Sequence, residues 1–313
     1  MLVIDAAMVD EVADWQTLVM ALRAGHQRPK PQVGDVYFTE GANGLLSRSA
    51  WISGLGSCVK AATIFRDNPT RTPPLASIYG SVLLFDPETG ITRAVVDGAA
   101  ITRWKTASDS ALGSELLSRP DSTELLMVGA GTQAVPLVQA HLSVRPAIRR
   151  VVLWNRTRPR AETTAARLAE LGPSITIAEN LEGAVRSADI VSVATMSTLP
   201  LIQGAWLKAG THLDLVGAFT PQMREADNEA VRRARVFVDF RGTTIDHIGE
   251  LMIPIREGVI AKTDVLGDLY DLVGGAPGRL SATDITLFKN GGGGHLDLMA
   301  TAAIVEAALK RGA

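Results

Sequence analysis

The sequence is poor in cysteine: one thiol, Cys58, stands in 313 residues. That excludes an intramolecular disulfide and every paired-cysteine metal site, and it fits a reducing cytoplasm. Histidine is scarce too. The five imidazoles are scattered, with no two at i, i+4, so no metal is expected. An excess of one charge is also missing, because 31 Lys and Arg nearly cancel 33 Asp and Glu, leaving a net −2. Such a balance provides no basic field for nucleic acid and no polybasic tail for a membrane surface. Apolar runs stay well short of the roughly 18 residues that span a bilayer. The opening "MLVIDAAMVDEVADW" carries acids where a signal peptide has a basic-then-apolar order.

What is there is the composition of a folded globular protein, 46% apolar and 20% charged, in a chain long enough for about two domains. Residues 1–25 read as helical, with Val9, Val12, Ala13 and Leu18 at helix-like spacing. From 33 to 97 short apolar runs are cut by turn signals, and "DPETG" at 86–90 reads as a hairpin loop. Residues 101–118 return to helix, and "RPDS" at 119–122 is a linker. Strands are then expected at 125–128, 151–154, 175–178, 189–194, 211–216 and 235–239, separated by helices. That alternation marks a doubly wound parallel sheet. The last helix, "HLDLMATAAIVEAALKR", is apolar around much of its circumference and should be buried, on the N-terminal region or across a dimer. The expected division is an α/β domain over 1–118 plus 285–313, and a Rossmann domain over 119–284.

Gly129-Ala130-Gly131-Thr132-Gln133-Ala134 fits G-x-G-x-x-A, after an apolar strand and before a helix. The first glycine permits the tight turn and the second lets the backbone approach a pyrophosphate. Ala134 allows close helix–strand packing, so N–H groups at the helix start face the anion. The end of the next strand identifies the dinucleotide. An NAD site has an acid there to hold the ribose 2′-hydroxyl. Here Asn155 stands at that end, followed by Arg156, Thr157, Arg158 and Arg160. A carboxylate would repel a 2′-phosphate, whereas an amide, a hydroxyl and forked guanidiniums bind one. The expected cofactor is NADPH; a merely solvated basic loop is the other reading.

Together with "VKAATIF" (59–65), "LLFDPETG" (83–90), "AVVDGAAITRWKTASDSAL" (94–112), "DLVGAFTPQMREAD" (214–227) and "DITLFKNGGGGHLDL" (284–298), these residues resemble the ornithine cyclodeaminase/μ-crystallin family. The resemblance implies a Rossmann domain beside an N-terminal α/β domain that binds substrate and forms a homodimer, with the last helix returning to that domain. Cyclodeaminases of the family carry a catalytic Asp in "GGD" after the fifth Rossmann strand. Here Gly217-Ala218-Phe219 stands in its place, and Phe219 cannot act as acid or base. "GAFTPQMRE" is instead similar to the segment of the ketimine reductases, among them the Δ1-pyrroline-2-carboxylate reductases, and "WNRT" is shared with NADPH-using members. The resemblance also puts Thr106 near the cofactor phosphates, and Val216 and Gly217 are counted with the cofactor residues.

A cyclic α-imino acid brings a carboxylate and a C=N carbon, so its pocket needs cations, an apolar wall and a proton supply. Lys60 is a lone charge in an apolar strand, a costly placement without a partner or cleft. It matches the family's substrate-carboxylate lysine; a solvated strand-edge lysine is the alternative. Lys105 stands where many relatives have Arg in "RTA", keeping the charge but not the fork; an exposed helical lysine is the alternative. Arg48 is either a second carboxylate clamp or a solvated arginine. Asp297, Glu225 and Asp227 are the candidate acids, with helix capping or dimer contacts as the competing explanation. His295 and His247 could donate a proton near neutrality, as could water. The expected reaction is NADPH-dependent reduction of Δ1-pyrroline-2-carboxylate to L-proline, with Δ1-piperideine-2-carboxylate to L-pipecolate as a second activity. The rivals are an alanine-type dehydrogenase using NADH, ornithine cyclodeamination, and a binding protein without catalysis.

Overall fold

In a computed structural model, residues 1–312 are described, and they form two sheets in two compact units. The first unit takes Met1–Lys105 and the residues from Gly293 onward; the second takes Thr106–Gly292. No helix among the described residues is long and apolar enough to cross a membrane.

The first unit begins with β1 (Leu2–Ile4), α1 (Ala6–Val12) and α2 (Trp15–His26). Asp5 and Asp14 cap the two helices, accepting from the Met8 and Thr17 N–H groups at 2.9 and 2.8 Å. An antiparallel meander follows: β2 (Gln32–Glu40), β3 (Asn43–Ile52), β4 (Gly56–Ile64), β5 (Ile78–Phe85) and β6 (Thr92–Asp97). β1 pairs parallel to β6, so the strand order is β1-β6-β5-β4-β3-β2. Period-two alternation buries Ala50, Ile52, Cys58, Ala62, Val82, Leu84, Ala94 and Val96 on one face of this sheet. α3 (Gly98–Leu117) leaves β6, and the division between units falls inside it.

The second unit holds β7 (Glu124–Val128), α4 (Ala134–Val144), β8 (Arg150–Trp154), α5 (Arg158–Leu168) and β9 (Ser174–Ile177). Next come α6 (Leu181–Ser187), β10 (Ile190–Val193), β11 (His212–Leu215), α7 (Asn228–Arg233) and β12 (Arg235–Val238). The unit ends with α8 (Arg241–Thr244), α9 (Gly249–Arg256), β13 (Val265–Gly267), α10 (Leu269–Val273) and β14 (Thr286–Lys289). All eight strands are parallel, in the order β13-β12-β14-β11-β10-β7-β8-β9. Read from β9 this is the 3-2-1-4-5 order of the Rossmann fold, extended by three further strands. β7, β8, β10, β11, β12 and β14 are buried over most of their length, whereas the edge strand β9 alternates exposed and part-buried residues.

Residues 106–118 and 285–292, expected with the first unit, belong instead to the second. β14 is a central strand, hydrogen-bonded to β11 on one side and β12 on the other, and its residues are buried. Only after Gly292 does the chain return to the first unit, as α11 (Gly294–Lys310). That helix packs on α1, α2 and the faces of β2–β5, burying Leu296, Leu298, Met299, Ile304 and Val305.

Candidate functional site

In the second unit β7 has β8 on one side and β10 on the other, the point at which a doubly wound sheet reverses its strand order. The chain leaving β7 turns at Gly129, whose φ of +109° strains any L side chain. A Cβ there would also collide with the Ala194 carbonyl, and the Gly129 N–H donates to the Trp154 carbonyl at 2.9 Å. Gly131 has the opposite reason to be glycine. A Cβ there would meet nothing within 4 Å, so its absence keeps open an exposed space at the start of α4. Thr132 is exposed beside it, Gln133 is the N-cap, and Ala134 is buried as the helix begins. An open space before a helix N-terminus is a cradle that a pyrophosphate fits.

At the end of β8, the Asn155 Nδ2 donates to the Thr157 carbonyl at 2.9 Å and closes the loop. Arg158 is diverted away, to Glu162 at 3.1 Å and Glu179 at 3.4 Å. Arg156 and Arg160 are exposed, and their guanidinium groups have no hydrogen-bond or ion-pair partner among the described residues. Two unpaired guanidiniums therefore mark this strand end, and the carboxylates beside it are those paired with Arg158.

The loops after β10 and β11 are tied together by Glu225. Its buried carboxylate accepts from the Thr195 N–H (2.7 Å), the Thr195 hydroxyl (2.8 Å) and the Gly217 N–H (2.6 Å). Glu225 therefore caps no helix. The α7 cap is Asp227, which accepts from the Ala230 N–H at 2.8 Å. Burial pushes the Glu225 carboxyl up to about 7 against the pull of Lys289, and the neighbouring Glu250 adds to the rise. Val216 continues the ladder by donating to Val193, and the Thr106 carbonyl accepts from the Asn290 Nδ2 at 2.9 Å. Phe219 and His247 are exposed.

Sequence reasoning missed Lys289, whose buried ammonium donates to the carbonyls of Leu215 (2.8 Å) and Asn290 (2.7 Å). It missed Asp214 as well, buried and accepting from Ser110 (2.8 Å), Ser192 (2.7 Å) and His141 (3.2 Å). Both are lone charges within apolar strands, the signal that singled out Lys60.

In the first unit the register sets Asp35, Arg48, Lys60 and Val82 side by side across β2–β5. The buried Lys60 Nζ donates to the Thr102 hydroxyl at 2.5 Å and to the Asp297 Oδ1 at 3.1 Å. An ammonium has three N–H groups, so one remains unused among the described residues. Lys105, one helical turn beyond Thr102 on α3, is buried too. Arg48 is part-buried and turns its Nε and Nη2 to one oxygen of Asp35, at 2.9 and 2.6 Å.

Asp297 lies in the first turn of α11 and is fully buried. Burial pushes its carboxyl up, but the charges of Lys60, Lys105 and Arg48 more than reverse this and hold it below the ordinary carboxylate range. The expectation of Asp297 as an acid is thereby corrected: near neutrality it is ionised and has no proton to give. His295 is no donor either, because burial and the charges of His26, Lys105 and Arg48 keep its imidazole neutral. Burial and Asp297 push the Cys58 thiol up to about 12, which leaves it unreactive. Among the described residues no group of His, Cys, Asp and Glu could hold a metal ion.

The geometry is thus an open glycine turn before a helix N-terminus in one unit and a buried, lysine-centred cluster of charges in the other. The profile of the ornithine cyclodeaminase/mu-crystallin family matches residues 51–312. The chain is 49% identical over 286 residues to a Δ1-pyrroline-2-carboxylate reductase of Paracoccus denitrificans, covering 91% of this chain and 90% of that one. Among solved structures it resembles the Δ1-pyrroline-2-carboxylate reductase of Thermococcus litoralis, in complex with NADH and L-proline. That likeness has a TM-score of 0.93 and 27% identity, covering 100% of this chain and 98% of that one. An archaeal alanine dehydrogenase dimer with bound NAD matches with a TM-score of 0.92 and 25% identity, over 100% and 97% of the two chains.

Proposed function

The chain belongs to the ornithine cyclodeaminase/mu-crystallin family, and from that premise we propose that it reduces cyclic α-imino acids with NADPH. The first substrate is Δ1-pyrroline-2-carboxylate, giving L-proline; Δ1-piperideine-2-carboxylate, giving L-pipecolate, is the second. One observation carries this reading: the buried Lys60 ammonium, fixed by Thr102 and Asp297, with one N–H unspent and Lys105 and Arg48 close by. A buried cation with a spare donor is made for an anion, and the substrate's carboxylate is that anion.

NADPH, when bound, supplies the hydride that adds to the imine carbon, and the nitrogen ends as an amine. The cradle at Gly129–Ala134 holds its pyrophosphate, with Thr106, Val216 and Gly217 nearby in this reading. Asn155, Arg156, Thr157 and Arg160 take the 2′-phosphate, which is why the two unpaired guanidiniums favour NADPH over NADH. Lys60 and Lys105 fix the carboxylate, and fixing both reactants converts an encounter into an oriented reaction. The first unit thus binds substrate in this reading. Its sheet face away from α11 also makes a homodimer, through the exposed Phe38, Leu45, Trp51 and Tyr79. The single cysteine is free and buried, in keeping with action in the cytoplasm.

The test is cofactor consumption with NADPH and with NADH, over five- and six-membered cyclic imino acids and over pyruvate with ammonia. Turnover of the cyclic substrates with NADPH preferred is expected. Turnover of pyruvate and ammonia with NADH alone would establish the alanine-type reaction instead.

A further inference from the structure

The buried carboxylate of Asp297 is only half used. Its Oδ1 receives Lys60 at 3.1 Å, while its Oδ2 is buried and has no hydrogen-bond partner among the described residues. A buried anionic oxygen without a donor is costly, so such an atom marks a place where a ligand's donor belongs. Three cations act on Asp297, and its proton is absent near neutrality, so it can only accept. Lys60 has the complementary property: one ammonium N–H remains to be given. An anion site and a cation site therefore lie about one ion-pair length apart, on the two members of a single pair.

A cyclic α-imino acid has the matching polarity. Its carboxylate sits on the carbon that is double-bonded to nitrogen, and that nitrogen, once protonated by water, is a cationic N–H donor. We propose that the Asp297 Oδ2 accepts the N–H of the substrate's iminium nitrogen while Lys60 holds its carboxylate, so that the pocket selects the protonated imine. This inference rests on the imine-reductase reading above and supplies what that reading lacks, the source of the proton. The iminium arrives with its proton already on nitrogen. Hydride adds to carbon, the C=N π pair becomes the nitrogen lone pair, and a neutral secondary amine results. No acid in the protein has to donate. Asp297 contacts the reacting group and favours the electrophilic cation over the neutral imine, which is a worse hydride acceptor.

The experiment compares two ligands of the same shape, L-proline and (S)-tetrahydrofuran-2-carboxylate, in which a ring oxygen replaces the cationic NH2. Binding to the full chain is measured by calorimetry with saturating oxidised cofactor, for wild type and Asp297→Asn. Wild type is expected to favour L-proline by about ten- to a hundredfold, the worth of one charge-assisted hydrogen bond. Asp297→Asn is expected to lose that preference while still binding the furan acid through Lys60. Equal weakening of both ligands in Asp297→Asn would mean that Asp297 only positions Lys60, and it overturns the proposal. If Asp297→Asn does not fold, wild type still decides, since equal affinity for the two ligands also overturns it. Failure of the underlying reading looks different: wild type then turns over no cyclic imino acid at all.

Discussion

At the scale of single residues, Lys60 shows what a sequence discloses. A lone ammonium among "SCV" and "AATIF" declares itself, because no apolar strand keeps a charge without a use for it. Its partners were not readable. Thr102 is 42 residues away and Asp297 is 237 away, and only the fold brings them to 2.5 and 3.1 Å. The same signal stood at Lys289 and Asp214, where burial serves carbonyl and hydroxyl partners within the second unit. A buried charge can be found in a sequence, but its function depends on neighbours that spacing does not reveal. Lys60→Met should raise KM for the cyclic imino acid by about a hundredfold and destabilise the fold by ~3 kcal/mol, because the buried Asp297 loses its hydrogen-bonded ion-pair partner. Steady-state kinetics and thermal unfolding check both parts. An unchanged KM in a folded variant would remove Lys60 from the carboxylate site.

At the scale of elements, the turn from β7 into α4 separates two uses of glycine. Gly129 is needed by the backbone, and Gly131 only by what approaches it. Gly131→Val should therefore leave stability within about 0.5 kcal/mol of wild type, as for substitutions into open space. Its dinucleotide affinity should nevertheless fall by about two orders of magnitude, because the side chain fills the cradle. Fluorescence titration with the reduced cofactor beside a melting curve tests this; tight binding by the variant would mean that the pyrophosphate lies elsewhere. The strands β7 to β12 were legible to within about a residue or two, since buried parallel strands are short apolar runs between helices. β14 was not legible as part of that sheet. It follows β13 in the chain yet inserts between β11 and β12, and strand order in space leaves no trace in local periodicity. Glu225 was hidden in the same way, because its role depends on two loops that its own neighbours do not identify.

At the scale of the whole molecule, the first-unit sheet has two unlike faces. The row Asp35-Arg48-Lys60-Val82 lies beneath α11, while the alternate row Phe38-Leu45-Thr63-Tyr79 faces away, with Trp51 on the same side. Phe38, Leu45, Trp51 and Tyr79 are all exposed, and β2 is an edge strand exposed along its whole length. Soluble monomers rarely leave such an apolar surface and edge uncovered. A second copy of the chain is the expected cover. Sedimentation should find a dimer, and Phe38→Glu with Trp51→Glu should yield monomers; a wild type that is monomeric at micromolar concentration would contradict this assignment. Isotope transfer tests the reaction itself. Reduction of Δ1-pyrroline-2-carboxylate with NADPH deuterated at C4 on the transferred face should give L-proline carrying one deuterium at C2, seen by mass spectrometry and NMR. L-proline without deuterium, or no L-proline, would contradict the account.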